Sequence, residues 1–156
     1  MTTALSKIKF DGDIEVLKEN IYRIYKDIQW NDVKGYATGC KWKNITYYSA
    51  DDDKILKQMY KDAGITTDIY ETSLWDFGDI SVIKPHNDKK EWFWGGDKKS
   101  IFVMIPITGV ITLGITNPKK TITIEPGDVG YLDIIGYEHF ANVCLPAMMM
   151  YIQIGV

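Results

Sequence analysis

The second part of the chain is a succession of short segments rich in β-branched and aromatic residues, separated by turns. Gly, Pro, Asn and Asp occupy the turns, as in Phe-Gly-Asp at 77–79 and Pro-Gly-Asp at 126–128. The predicted strands are 69–74, 80–88, 100–107, 110–115, 121–124, 129–134 and 147–154. Many short strands joined by frequent turns favour a β-sandwich or a β-barrel over other fold classes.

The first part of the chain has the periodicity of helices instead. Asp13 can cap a helix that runs to about Ile28, because apolar residues recur there at helical spacing. A second helix is predicted to start at the acidic residues 51–53, which suit the positive end of a helix dipole, and to end at Gly64. We therefore expect a mainly β domain with two or so N-terminal helices packed on it.

Length and charge limit what the protein can be. The 156 residues suit one domain, so we predict a single domain over 1–156, with a helical part at 1–65 and a β core at 66–156. Net charge is −3 and no basic run exceeds a Lys pair, so we expect no binding to a nucleic-acid backbone. No apolar segment is long enough to span a bilayer and no signal peptide is recognisable, which predicts a cytoplasmic protein, bacterial or viral in origin, that does not bind membranes.

The chain has only two histidines, and both stand where a mononuclear metal site would need them. His86 and Asp88 are two residues apart, so on an extended strand their side chains point to the same face. His139 follows 53 positions later (139 − 86), before the last predicted strand. Two His and one carboxylate on one face of a metal are typical of non-haem Fe(II) oxygenases. Taken singly, each histidine also fits a surface residue or a hydrogen-bonded core residue.

Three segments resemble a known family. Residues 75–88 contain a Gly-Asp turn followed by Ile-Lys-Pro-His-Asn-Asp, residues 101–107 end in Ile-Pro-Ile, and residues 126–142 contain a Pro-Gly-Asp turn, a strand and then His139. This arrangement resembles the 2-oxoglutarate/Fe(II)-dependent oxygenases, in particular their aspartyl/asparaginyl β-hydroxylase-like branch. The resemblance extends from about residue 75 to the C-terminus, roughly half of the chain.

The resemblance implies a fold, a metal site and a cosubstrate. The fold would be a double-stranded β-helix, which is a cupin-like jelly roll. His86, Asp88 and His139 would bind Fe(II), and 2-oxoglutarate would be the cosubstrate. A dioxygenase of this kind would hydroxylate a small molecule or an amino-acid side chain, free or in a peptide.

The chain departs from the family pattern at the cosubstrate site. Where the branch has Arg-x-His, residues 102–104 read Phe-Val-Met, and no residue from 140 to 156 is basic. The cation that holds 2-oxoglutarate would then be Lys99 or, failing that, Lys98, because some relatives use a Lys at about that distance. Asn142, close after His139, is a further candidate for contact with the cosubstrate, although it equally fits a strand end.

Other functional readings stay open. Trp92 and Trp94 follow the predicted metal ligands closely and can line a substrate pocket, or else pack against the helices. The missing arginine favours a cupin-like binding or structural protein that has lost cosubstrate binding. A metal-dependent cupin of other chemistry is a third possibility, because jelly rolls carry many activities. A homodimer is compatible with each of these readings.

Overall fold

The computed structural model describes residues 4–33, 35, 39–44, 49–78, 80, 82–88 and 100–155. These residues contain two helices, α1 (Ile14–Tyr25) and α2 (Ala50–Asp62). They also contain nine strands: β1 (Leu5–Lys9), β2 (Asn31–Asp32), β3 (Lys41–Asn44), β4 (Ile69–Asp76), β5 (Val82–His86), β6 (Ser100–Thr116), β7 (Lys119–Ile124), β8 (Asp128–Leu132) and β9 (His139–Gly155). No helix in this described part is long and apolar enough to cross a membrane.

Both predicted helices are present, with small changes at their ends. The Asp13 side chain accepts hydrogen bonds from the first-turn amides of α1, as expected of an N-cap, but the helix ends at Tyr25 and not at Ile28. In α2 the N-cap is Ser49, whose Oγ accepts from the Asp52 amide at 3.1 Å. The three acidic residues therefore occupy the first turn, where the dipole favours them, and do not cap the helix themselves.

The two longest strands organise the whole fold. β6 and β9 have 17 residues each and pair antiparallel along most of their length. Their outer halves, 100–107 and 148–155, continue into a larger layer with the order β1-β8-β6-β9-β4-β3-β2. Their inner halves, 110–116 and 139–145, form a smaller layer with β7 at one edge and β5 at the other. The result is a double-stranded β-helix, as predicted.

Alternation along the strands separates two cores. Val103 and Ile105 of β6 are fully buried against the helices, in one cluster with Leu17 and Ile21 of α1. Phe102 and Met104 point to the opposite face, where they pack between the two layers of strands. The helices thus cover the outer face of the larger layer, and the interior of the jelly roll is left to the residues between the layers.

β6 and β9 change layers at a tight bend. Register shifts mark the bend between Pro106 and Ile111, and Gly109 within it has a φ of +79°. A Cβ added to Gly109 would overlap the Pro146 carbonyl oxygen and lie 2.7 Å from Ala147 Cα. Only glycine allows the two backbones to approach so closely here.

We expect Gly109→Ala to lower the free energy of unfolding by about 2–4 kcal/mol, because it adds a backbone clash to the cost of positive φ. Gly127→Ala is the matched control, since Gly127 also has positive φ (+108°) but no atom lies within 4 Å of the added Cβ. That change should cost only the strain, about 1–2 kcal/mol. Urea denaturation of both variants measures the difference, and equal losses would mean that the close approach contributes nothing.

A buried lysine ties the edge of the larger layer to α1. Lys43 of β3 is 5% exposed, and its Nζ donates to the backbone oxygens of Tyr25 (2.7 Å) and Ile28 (3.2 Å). Nζ also lies 4.1 Å from the centre of the Trp30 ring. Desolvation lowers the pKa of the Lys43 ammonium, and the charge of Asp27 opposes that shift. The contacts satisfy carbonyl groups at the helix end and fix the position of β3.

The segment 1–65, predicted to be helical, also provides strands to the sheet. β1 pairs with β8, and β3 pairs with β4 and β2. These strands are short and rich in lysine, so their sequences carry little of the apolar alternation that predicts a strand.

Two predicted strand boundaries differ from the structure. The predicted strands 100–107 and 110–115 form one strand, β6, and β9 starts at His139, well before the predicted start at 147. Strands β5 and β6 pair with residues 139–142 from the two sides and satisfy a backbone whose side chains are only partly apolar.

Candidate metal centre

Two paired strands bring the histidines together. His86 ends β5 and lies directly opposite His139 at the start of β9. The centres of the two imidazole rings are 4.3 Å apart. Asp88 follows two residues beyond the end of β5, so its side chain turns to the same side as His86.

The three side chains direct their ligand atoms at one another. His139 Nε2 is 2.8 Å from Asp88 Oδ2, and His86 Nε2 is 3.7 Å from the same oxygen. The three ligand atoms all lie within 4.8 Å of one another. Neighbouring ligands of an octahedral ion with bonds of about 2.1 Å are roughly 3 Å apart, so small side-chain rotations would complete the geometry.

The backbone fixes which nitrogen each ring presents. His86 Nδ1 lies 2.8 Å from the Lys84 carbonyl oxygen, and His139 Nδ1 lies 2.9 Å from the Tyr137 carbonyl oxygen. A carbonyl oxygen only accepts, so each Nδ1 carries a hydrogen, and in the neutral imidazole each Nε2 then keeps its lone pair. A hydrogen bond from the second ring nitrogen of a ligand histidine to a backbone carbonyl is typical of metal sites. Two lone pairs and a carboxylate oxygen then face one another, an arrangement that a bound cation stabilises.

Burial of the carboxylate supports the same conclusion. The side chain of Asp88 is 4% exposed and that of His139 is 8% exposed, whereas that of His86 is 15% exposed. Carboxylates buried to this extent are usually paired with a cation or bound to a metal, because water no longer solvates their charge. The residues present therefore fit a single divalent metal ion, with the more open side next to His86.

A small apolar cavity lies behind the three side chains. Its volume is about 60 Å³. Apart from His86, Asp88 and His139, its lining consists of Trp75, Phe77, Ile83, Met104, Ile111, Leu113, Leu132, Phe140, Ala141, Met149 and Tyr151. Apart from the three candidate ligands, the lining is mostly apolar.

A second, larger cavity adjoins the first, and we call it the aromatic cavity. Its volume is about 350 Å³. It is lined by Asp32, Val33, Trp42, Glu71, Ser73, Trp75, Asp88, Phe102, Ile134, Tyr151 and Gln153. Because Asp88 lines both cavities, a ligand in the larger one lies next to the candidate metal centre.

Most of the residues predicted to contact the cosubstrate or the substrate cannot be placed relative to this site. Lys98, Lys99, Trp92 and Trp94 fall outside the described residues. Asn142 has an exposed side chain on β9, opposite Val82, and is not among the residues that line the two cavities.

The single arginine is occupied elsewhere in the molecule. Arg23 Nη1 is 3.0 Å from Asp52 Oδ1, an ion pair that joins α1 to α2 on the outer face of the larger layer. Arg23 therefore provides no guanidinium group inside the jelly roll, and the chain has no second arginine.

Sequence reasoning missed the walls of the aromatic cavity. Glu71, Ser73 and Trp75 alternate along β4 and share its inner face, and Trp42 is the partner of Trp75 on β3. The i, i+2 spacing of a carboxylate, a hydroxyl and an indole was the available signal. The neighbouring strand β3 was not predictable from the sequence, so the residues that line the cavity could not be inferred to lie together.

Comparisons with known proteins agree with the fold. No protein-family model matches the chain, and no curated protein matches it. Several solved structures match the fold of the chain. The epimerase SnoN, in complex with Fe3+, α-ketoglutarate and nogalamycin RO, superposes with a TM-score of 0.67 at 8% identity, over 97% of this chain and 79% of SnoN.

Two hydroxylases superpose over nearly the whole length of both chains. A prolyl-4-hydroxylase from Pseudomonas putida has a TM-score of 0.62 at 12% identity, over 99% of this chain and 93% of that one. The viral collagen prolyl hydroxylase of Paramecium bursaria Chlorella virus-1, as its 2-oxoglutarate complex, has a TM-score of 0.60 at 9% identity, over 97% and 95%. This chain has the jelly-roll fold that these enzymes also have. Identities this low show the fold alone, and the aspartyl/asparaginyl β-hydroxylase-like branch stays a prediction.

Proposed function

We propose that the protein is an Fe(II)- and 2-oxoglutarate-dependent dioxygenase that hydroxylates a small molecule or an amino-acid side chain. The observation that carries the proposal is the convergence of two Nε2 lone pairs and one buried carboxylate, with each Nδ1 held by a backbone carbonyl. Two His and one carboxylate leave other positions of a metal open, as non-haem iron oxygenases require. The similarity of fold to such enzymes adds support.

The residues of the chain have defined tasks in this proposal. His86, Asp88 and His139 would hold the iron, and the carbonyls of Lys84 and Tyr137 would fix the orientation of the two rings. Bound iron with 2-oxoglutarate supplies the activation of O₂ for attack on a C–H bond. The mostly apolar lining around the site would restrict the access of water and so limit side reactions.

The cosubstrate carboxylate needs a cation that the described lining does not supply. Among the described residues around the two cavities, none is Lys or Arg. We propose that Lys99 or, less favourably, Lys98 binds the distal carboxylate of 2-oxoglutarate. A lysine would act there as a point charge and not as a bidentate fork.

The direct test is succinate release from 2-oxoglutarate with Fe(II) and O₂, which we expect even without the true substrate, although slowly. His86→Ala should reduce the rate to background because it removes a ligand of the metal. Asn87→Ala, the neighbour with an exposed side chain, is the matched control and should keep the wild-type rate. Equal rates in wild type and His86→Ala would show that free iron or a contaminant made the succinate.

One observation favours a second function, that of a metal-binding cupin without a keto-acid cosubstrate. It is the absence of a cation from the described lining of both cavities. Such a protein would bind metal through the same three residues. It would not bind 2-oxoglutarate, and it would release no succinate when loaded with iron and given a broad panel of substrates.

A further inference from the structure

We infer that the aromatic cavity binds a cationic group of the substrate, an alkylammonium or a guanidinium. The cavity would then hold the charged end of a substrate whose neighbouring C–H bonds face the candidate metal centre. In naming the ligand a substrate, this inference rests on the proposed function. The preference of the cavity for cations rests on its own walls.

The cavity is built on the inner face of the larger layer. Across β4 and β9, Glu71 pairs with Gln153 and Ser73 pairs with Tyr151, so two strands present a continuous row of side chains. The volume of about 350 Å³ is in the range of pockets that bind small molecules, which starts at about 300 Å³. The surface is therefore large enough for a substrate side chain and is formed by regular, paired strands.

Four aromatic rings form part of the wall. The ring centres of Trp42 and Trp75 are 6.4 Å apart and nearly parallel, and those of Trp75 and Tyr151 are 5.4 Å apart. Phe102 follows, with its ring centre 4.6 Å from that of Tyr151. The Trp75 Nε1 group already donates to Ser73 Oγ at 3.0 Å, so this side chain offers its ring rather than a donor. Faces of electron-rich rings attract organic cations.

The charged groups in the described lining are all carboxylates. Glu71 is half-buried, and Asn44 Nδ2 donates to its Oε1 at 2.5 Å. No ion pair joins Glu71 to a described Lys or Arg. Asp32 also lines the cavity and is exposed, whereas Asp88 belongs to the candidate metal centre, where a bound metal ion would balance its charge. Partly desolvated carboxylates beside aromatic faces favour a cation and disfavour an anion.

The neutral polar groups of the lining do not change this balance. Ser73 and Gln153 are buried and carry no charge. The described lining therefore combines carboxylates with aromatic rings, and the cavity shares Asp88, Trp75 and Tyr151 with the smaller cavity at the candidate metal centre. A cation bound here would lie beside that centre.

The test compares two probes of nearly equal shape, n-butylguanidinium and its neutral analogue n-butylurea, by isothermal titration calorimetry on the purified full-length protein. We expect n-butylguanidinium to bind at least about 10-fold more tightly than n-butylurea, because only the cation gains an ionic contact with a carboxylate and a cation–π contact. Glu71→Gln should remove most of that preference, since the amide keeps an oxygen for Asn44 but loses the charge. Trp42→Leu should weaken the binding of the cation more than that of the urea.

Glu19→Gln, an exposed residue of α1, is the matched charge control and should keep the wild-type preference. Equal affinity for the two probes in wild type would overturn the inference, and so would a preference that survives in both Glu71→Gln and Trp42→Leu. The readout is binding and not turnover, so it is separable from the proposed function. A protein that prefers the cation but releases no succinate would contradict the proposed oxygenase activity and support the cation site. A protein that releases succinate but shows no cation preference would support the oxygenase activity and contradict the cation site.

Discussion

His139→Ala is expected to lower the affinity for Fe(II) by more than about 100-fold. Its Nε2 lies 2.8 Å from Asp88 Oδ2, and the Tyr137 carbonyl fixes the ring so that no other donor of this side chain can replace it. Loss of an outer-shell partner alone typically costs about 10–100-fold in metal affinity, and this change removes the ligand itself. The alanine also leaves Asp88 buried with one fewer group to stabilise a bound ion.

Anaerobic titration with Fe(II) against a competing chelator measures this effect. Asn87→Ala is again the control, because its side chain is exposed within the same His-Asn-Asp triplet. It should bind one Fe(II) per chain with wild-type affinity. If His139→Ala also bound Fe(II) as tightly as wild type, the metal would be held elsewhere.

Asp88→Glu is expected to reduce the rate of succinate release by about 100-fold, although the variant keeps a carboxylate. The side chain of Asp88 is 4% exposed, so a longer side chain cannot relax into solvent. The extra methylene moves the carboxylate by about 1 Å, and a misplacement of that size can cost about 100-fold in rate. Iron binding should weaken much less, because the charge is retained.

Parallel assays of iron content and succinate release at saturating Fe(II) separate the two effects. Asp11→Glu, with an exposed side chain outside the site, is the matched control for the same chemical change and should be neutral. An Asp88→Glu variant with the wild-type rate would mean that the exact position of this carboxylate does not matter for turnover.

The metal centre was more predictable than the layout of the strands that hold it. His86 and Asp88 share a face of a strand by their i, i+2 spacing, which is a local property of the sequence. Their meeting with His139 depends on the pairing of β5 with β9, a long-range contact that the residues alone did not indicate. Resemblance to a known family supplied that step.

The strands were predictable where apolar, β-branched and aromatic residues are concentrated. In β6, residues 101–107 are all buried, some facing the helices and some facing the interior, and this stretch is readable as a strand. The join of 100–107 to 110–115 was not predictable, because Thr108-Gly109 has the composition of a turn. The positive φ of Gly109 bends the strand there and does not end it. The strands β1 and β3 were not predicted, because they are short and lysine-rich and show little apolar alternation.

The substrate side of the site was the least predictable. Trp92 and Trp94 were predicted to line a substrate pocket because they follow the candidate metal ligands closely in the sequence. They lie outside the described residues. The rings that line the aromatic cavity come from β3, β4, β6 and β9. Residues so far apart in the sequence come together only through sheet register, which a single sequence does not reveal.

Anomalous diffraction from crystals grown with Fe(II) under anaerobic conditions tests the central claim most directly. We predict one strong iron peak per chain, about 2.0–2.2 Å from the Nε2 atoms of His86 and His139 and from a carboxylate oxygen of Asp88. Both Nδ1 atoms should keep their contacts with the carbonyl oxygens of Lys84 and Tyr137. Loss of the peak in crystals of the Asp88→Ala variant would agree with this assignment. A peak at any other position, or no iron between the three side chains of the wild-type protein, would contradict it.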